Sequence, residues 1–159
     1  MTSELIETHR ENAEVYQGDS VCKLKSRELL SELNLPRGLL PLDDVVEVGY
    51  NRPAGFVWVR QSKPKVHRFA AISRTVSYDA EVTAFVGDRR MKRLTGIKSK
   101  EFLFWVTISD IHIDQNDPAK ISFANSTGLS RSFPVSAFEE EDEEEEKEKE
   151  KDGKGRTDG

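Results

Sequence analysis

This sequence predicts a mainly β fold: an N-terminal helical segment packed on an antiparallel β barrel or roll, followed by a disordered acidic C-terminal tail. Three observations predict it. The hydrophobic period changes from 3.6 to 2 after residue 44. Eight or nine short apolar runs then follow, separated by turn signals with no helical period between them. The clearest run, residues 76–86, alternates Val76, Tyr78, Ala80, Val82, Ala84 and Val86 with mostly polar neighbours. One buried face and one wet face produce that pattern.

Residues 1–34 form the helical segment, 35–138 the barrel domain and 139–159 the tail. Ser3 is placed to cap a first helix reaching about Tyr16. Gly18 breaks it, and Asp19 or Ser20 caps a second helix with Cys22, Leu29, Leu30 and Leu33 on one face. That stripe needs a partner, because so short a helix is marginal alone. Pro36, Gly38 and Pro41 then make a corner in which Leu39, Leu40 and Leu42 plug one barrel end.

The runs VVEVGY and GFVWVRQ are strands joined by NRPAG, and VHRFAAI is a third. Residues 76–86 turn through GDRR into MKRLTGI. In FLFWVTISDIHID, Phe102, Phe104, Val106 and Ile108 share one face, whereas Ile111 and Ile113 lie on the opposite parity. Such a swap requires a bulge or sharp bend near Ser109–Asp110. KISFAN and SRSFPVSAF complete the set, with Pro134 at an edge or bulge.

Charge and composition bound the function. Residues 139–159 hold 12 acidic and 5 basic side chains, leaving 17 and 19 in residues 1–138. The domain is near neutral, which argues against a nucleic-acid surface. One cysteine permits no internal disulfide. MTSELIETHREN lacks the basic and apolar regions of a signal peptide, and no run approaches the roughly 20 apolar residues of a membrane span. A soluble cytoplasmic protein is the expectation, with the Asn125-Ser126-Thr127 glycosylation pattern unused.

The motifs name no catalytic chemistry. GLSRS resembles a nucleophile elbow around Ser130, but Ser132 replaces the second glycine and the context is turn into strand. Asp110, His112 and Asp114 alternate as metal ligands could, yet fit a solvated strand end, so no metal or cofactor is expected. Cys22 lies on an apolar stripe, where a thiol behaves as a small hydrophobe. RRMKR, residues 89–93, reads as a solvated hairpin tip. The dense aromatics remain. A small barrel fills its interior with them, and a wider one holds a single apolar ligand.

AEVYQGD, SRELLSELNLPRGLLPL, EVGYNRPAGFVW, RTVSYDAEVTAFV, LTGIKSKEFLFWV and TGLSRSFPVSAF together resemble the plant family known as domain of unknown function 538, over about residues 11–138. The resemblance implies a land-plant source and the helix-plus-barrel fold. It also implies two family-level activities: lipid binding like that of bactericidal/permeability-increasing domains, and chlorophyll binding or hydrolysis leaning on Ser130. Ala70-Ala71 departs from the charged pair of many members.

The reading is a non-enzymatic module binding an apolar small molecule or lipid, lined by Trp58, Phe69, Tyr78, Phe104 and Trp105. Two alternatives stand beside it: an esterase-like hydrolase of a pigment or lipid ester using Ser130, and a protein-interaction module with an acidic tail.

Overall fold

The computed structural model describes residues 3–139, so the acidic tail beyond Glu139, and its expected disorder, lie outside the described residues. Helix α1, Glu4–His9, starts where Ser3 Oγ accepts from the Ile6 N–H at 3.3 Å. It does not reach Tyr16. Residues Glu14–Gln17 form strand β1 instead, paired with β2 in the register Val15↔Gly49. The pairing is a tertiary event, and four residues carry too little period to announce it.

Helix α2, Asp19–Glu32, buries Cys22, Ser26, Leu29 and Leu30 at helical spacing. Gly18, not Asp19 or Ser20, occupies its N-cap. Asp19 Oδ1 instead accepts from the Val45 N–H at 2.8 Å and ties the helix start to β2. The far end is a Schellman stop. Asn34 takes φ 58°, its N–H donates to Ser31 O, and Leu35 N–H donates to Leu30 O at 2.8 Å.

The following corner is buried, with Leu33, Leu35, Leu39, Leu40 and Leu42 all in the core. Long-range hydrogen bonds help to hold it. Tyr78 Oη donates to Leu39 O at 2.9 Å, and Gly38 N–H donates to Phe138 O at 2.8 Å.

The remaining strands are β2 Val45–Asn51, β3 Phe56–Gln61, β4 Lys65–Phe69, β5 Arg74–Gly87, β6 Arg90–Glu101, β7 Phe104–Thr107, β8 Asp110–Ile113, β9 Lys120–Ala124 and β10 Ser130–Pro134. All pairings are antiparallel, along the path β1-β2-β3-β5-β6-β8-β9-β10. The path is open, ending in β1 and β10. It nevertheless curls into a roll. Phe69 on β4 and Phe123 on β9 are not neighbours along it, yet both rings pack on Phe138, at 4.8 and 5.2 Å.

The long β5–β6 hairpin is the frame. β5 pairs with β4 through residues 74–78 and with β3 through 81–85; β6 pairs with β7 through 98–101 and with β8 through 90–92. The bend expected near Ser109–Asp110 is the break between β7 and β8. Two residues, Ile108 and Ser109, separate those strands, whereas residues 93–97 intervene on β6. That unequal count moves the buried set from one parity to the other. Gly96 permits the excursion: at φ 85°, a Cβ there would lie 2.4 Å from the Glu81 carbonyl oxygen.

The sheet has two buried faces. The main core joins α2, the leucine corner and the inward residues of β2 to β9. A smaller cluster of Ile6, Phe56 and Trp58, with Phe85 packed beside it, lies on the opposite face under α1. It accounts for Phe85, which breaks the polar side of β5: its ring sits 5.0 Å from that of Phe56.

Candidate functional site

Three places hold concentrated chemistry. The first is the polar centre beneath α1. Glu47 on β2 has a side chain only 5% exposed. Arg10 donates to both its oxygens, at 2.9 and 3.1 Å. Trp58 Nε1–H donates at 2.8 Å and Gln17 Nε2–H at 3.2 Å. The Arg10 bonds, then those from Trp58 and Gln17, hold this carboxyl down at about 2. Arg10 also lies over the Trp58 ring, 5.3 Å from its centroid. Gly49 makes the cluster possible, since a Cβ there would fall 2.1 Å from the indole. With the Glu47 carboxylate buried and bonded to Arg10 of the α1 C-cap, Gln17 of β1 and Trp58 of β3, this centre is a clamp fixing α1 and β1 to the sheet.

The second is the row Asp110, His112 and Asp114. His112 Nδ1 and Asp110 Oδ1 are 2.8 Å apart, and Arg90 donates to Asp110 Oδ2. Asp114 turns away to accept from the Asn116 N–H. Among the described residues, no three His, Cys, Asp or Glu side chains are arranged to hold a metal. Cys22 is buried, its Sγ–H points to Tyr16 O at 3.2 Å, and burial raises its pKa.

The third is an apolar groove of about 240 Å³ between the β6–β7 hairpin and the β9–β10 turn. Ile108, Phe123 and Phe133 form its floor, and Phe102, Phe104 and Leu129 its walls. The walls stand in solvent: Phe102 is 93% exposed, Phe104 70% and Leu129 72%. Asn125 shapes the turn below Leu129, its Oδ1 accepting from the N–H groups of Thr127 and Leu129 at 3.0 Å. An ion network closes one end. Arg74 and Arg131 each lie 3.0 Å from Glu101, and in that order they lower its pKa.

The five aromatics expected to line a site are not brought together. Trp58 is buried under α1, while Phe69 and Tyr78 are buried in the main core. Phe104 lines the groove, and Trp105, half-exposed, faces away from it under Lys100. Ser130 also lines the groove, but His9, His67 and His112 do not. Leu103 and Leu129 escaped the sequence reading. The available signal was FLFW itself, a run with no turn residue where the register of β6 on β7 demands a turn.

The segments that carry the resemblance build this site: LTGIKSKEFLFWV supplies the hairpin and TGLSRSFPVSAF the facing turn. The model of a protein family of unknown function, DUF538, matches residues 26–139. The chain belongs to this family. Helix α1 and strand β1 precede the matched DUF538 region, which holds the whole groove and most of the main core. No curated protein and no solved structure matches the chain. Among the described residues, no helix is long and apolar enough to cross a membrane.

Proposed function

We propose that this DUF538 protein is a non-enzymatic binding module whose groove takes an apolar small molecule or one chain of a lipid. The observation that carries this is the ring of exposed Phe102, Phe104 and Leu129 around an apolar floor. Soluble proteins rarely leave so contiguous an apolar patch in water without a use for it. The volume bounds the occupant. Sites for drug-sized molecules run to roughly 300–1,000 Å³, so a groove of about 240 Å³ accommodates a single chain or ring rather than a whole pigment macrocycle. In this reading Phe104 is a lining residue, Trp105 supports the hairpin from its other side, and Trp58, Phe69 and Tyr78 build the scaffold.

The hydrolase reading has less support. Ser130 lines the groove without a histidine to activate it. An acidic tail that recruits partners remains a separate proposal, resting only on its sequence.

The test is titration of the full chain with a neutral fluorescent probe such as N-phenyl-1-naphthylamine. Saturable enhancement at one site, lost in Phe104→Ser/Leu129→Ser, supports the groove. No enhancement, or enhancement unchanged in that variant, refutes it. Ester hydrolysis lost in Ser130→Ala would instead favour the hydrolase.

A further inference from the structure

We propose that the β6–β7 hairpin is a membrane-docking element that inserts its tip into the interface of an anionic bilayer. This goes beyond the groove reading: it uses the same hairpin but does not require the groove to hold a ligand.

Four consecutive large apolar residues, Phe102 to Trp105, occupy the tip and the start of β7. Leu103 is 88% exposed and does not line the groove, so ligand binding there does not account for it. Turn geometry does not account for Phe102 either. It sits at φ 52°, a conformation that bulky side chains disfavour and that glycine or asparagine adopts at little cost. Both residues oppose what a hairpin turn in water requires.

A bilayer interface reconciles them. The two-residue turn leaves Phe102 and Leu103 almost wholly exposed, and side chains so exposed enter a fluid apolar phase without needing a matching pocket. Trp105 stands one residue behind Phe104, where an indole sits at headgroup level with its ring apolar and its N–H wet. A basic collar lies behind the tip. Lys98 and Lys100 are on β6, and Arg68 and Arg74 are brought to the same end by the β4–β5 and β5–β6 registers. Arg131 adds a fifth positive charge, with Glu101 held between Arg74 and Arg131. Anionic headgroups complement that collar, and the lysine stems can lie along the acyl boundary while their ammonium groups stay wet. Charge complementarity thus selects an anionic lipid surface as the occupant.

The test is sedimentation of the full chain with vesicles of phosphatidylcholine alone and of phosphatidylcholine with about one third phosphatidylserine. The expected result is binding to the anionic vesicles that weakens as salt is raised, with a blue shift of tryptophan emission and quenching by brominated lipid. The signal comes from Trp105, because Trp58 is buried, so Trp105→Phe abolishes the spectral change. Leu103→Asp lowers vesicle affinity about tenfold or more and leaves probe binding in the groove intact, which separates this proposal from the one above. Absence of binding to anionic vesicles, equal binding by Leu103→Asp, or self-association without vesicles that Leu103→Asp abolishes would overturn it.

Discussion

Trp58 and Trp105 are the chain's two indoles, each on a strand within an unbroken apolar run, and their settings are opposite. Around Trp58 the polar groups are paired: its N–H meets Glu47, Glu47 meets Arg10 and Gln17, and Ile6 of α1 packs in the same cluster. Around Trp105 the apolar neighbours Phe102, Leu103 and Phe104 lie open. An aromatic run in a strand marks a face in need of a cover, not the identity of the cover. Helix α1 supplies it over Trp58; over Phe102, Leu103 and Phe104 no described residue does.

The sharpest way to break this comparison is to damage the covered end. Glu47→Ala removes the acceptor of the buried Trp58 N–H and leaves Arg10 with Glu7 at 3.5 Å; losing one partner of a buried ion pair costs about 3–5 kcal/mol, and the lower end applies because the Arg10 side chain is 32% exposed. Urea unfolding should show that loss. The same carboxyl makes stability pH-dependent. Its pKa is lowered in the folded state to about 2 from 4.5, so its contribution is full above pH 4.5 and is lost as pH falls towards 2. The melting temperature should drop over that window, and less steeply in Glu47→Gln.

Leu39→Ala removes a buried side chain from the corner and should cost about 3 kcal/mol in the same unfolding assay. An unchanged midpoint would detach that corner from the core. Tyr78→Phe deletes the hydroxyl that donates to Leu39 O and should cost about 1–2 kcal/mol. At the uncovered end the expectation reverses. Phe104→Ser/Leu129→Ser should move stability by only about 0.5 kcal/mol, because both side chains are already in water.

The same contrast explains what the sequence could reveal. The alternation in residues 76–86, the leucine corner and the parity swap before Asp110 were legible because each is a local pattern set by one buried face. Strand β1 was not, since its four residues become a strand only against the edge of β2. Glu47 reads as an ordinary wet position within VVEVGY; burial under α1 gives it a role, and Phe56 and Trp58, opposite in parity to Val57 and Val59, with Phe85 among the polar positions of β5, were the local trace of that second face. At the groove, Phe104 stood out in the sequence only as one aromatic among many. Leu129 there and Leu103 at the hairpin tip did not stand out, because exposure depends on where the chain turns, and the Phe102–Leu103 turn carries no glycine, proline or asparagine.

In the proposed function, the open apolar groove binds an apolar ligand while Trp58, Phe69 and Tyr78 build the scaffold. The most direct measurement is the titration of the neutral naphthylamine probe into three proteins side by side. The expected result is one saturable site in the wild type, the same site in Tyr78→Phe despite its lower stability, and none in the fully folded Phe104→Ser/Leu129→Ser protein. Probe binding retained by the groove variant, or lost in folded Tyr78→Phe, would contradict it.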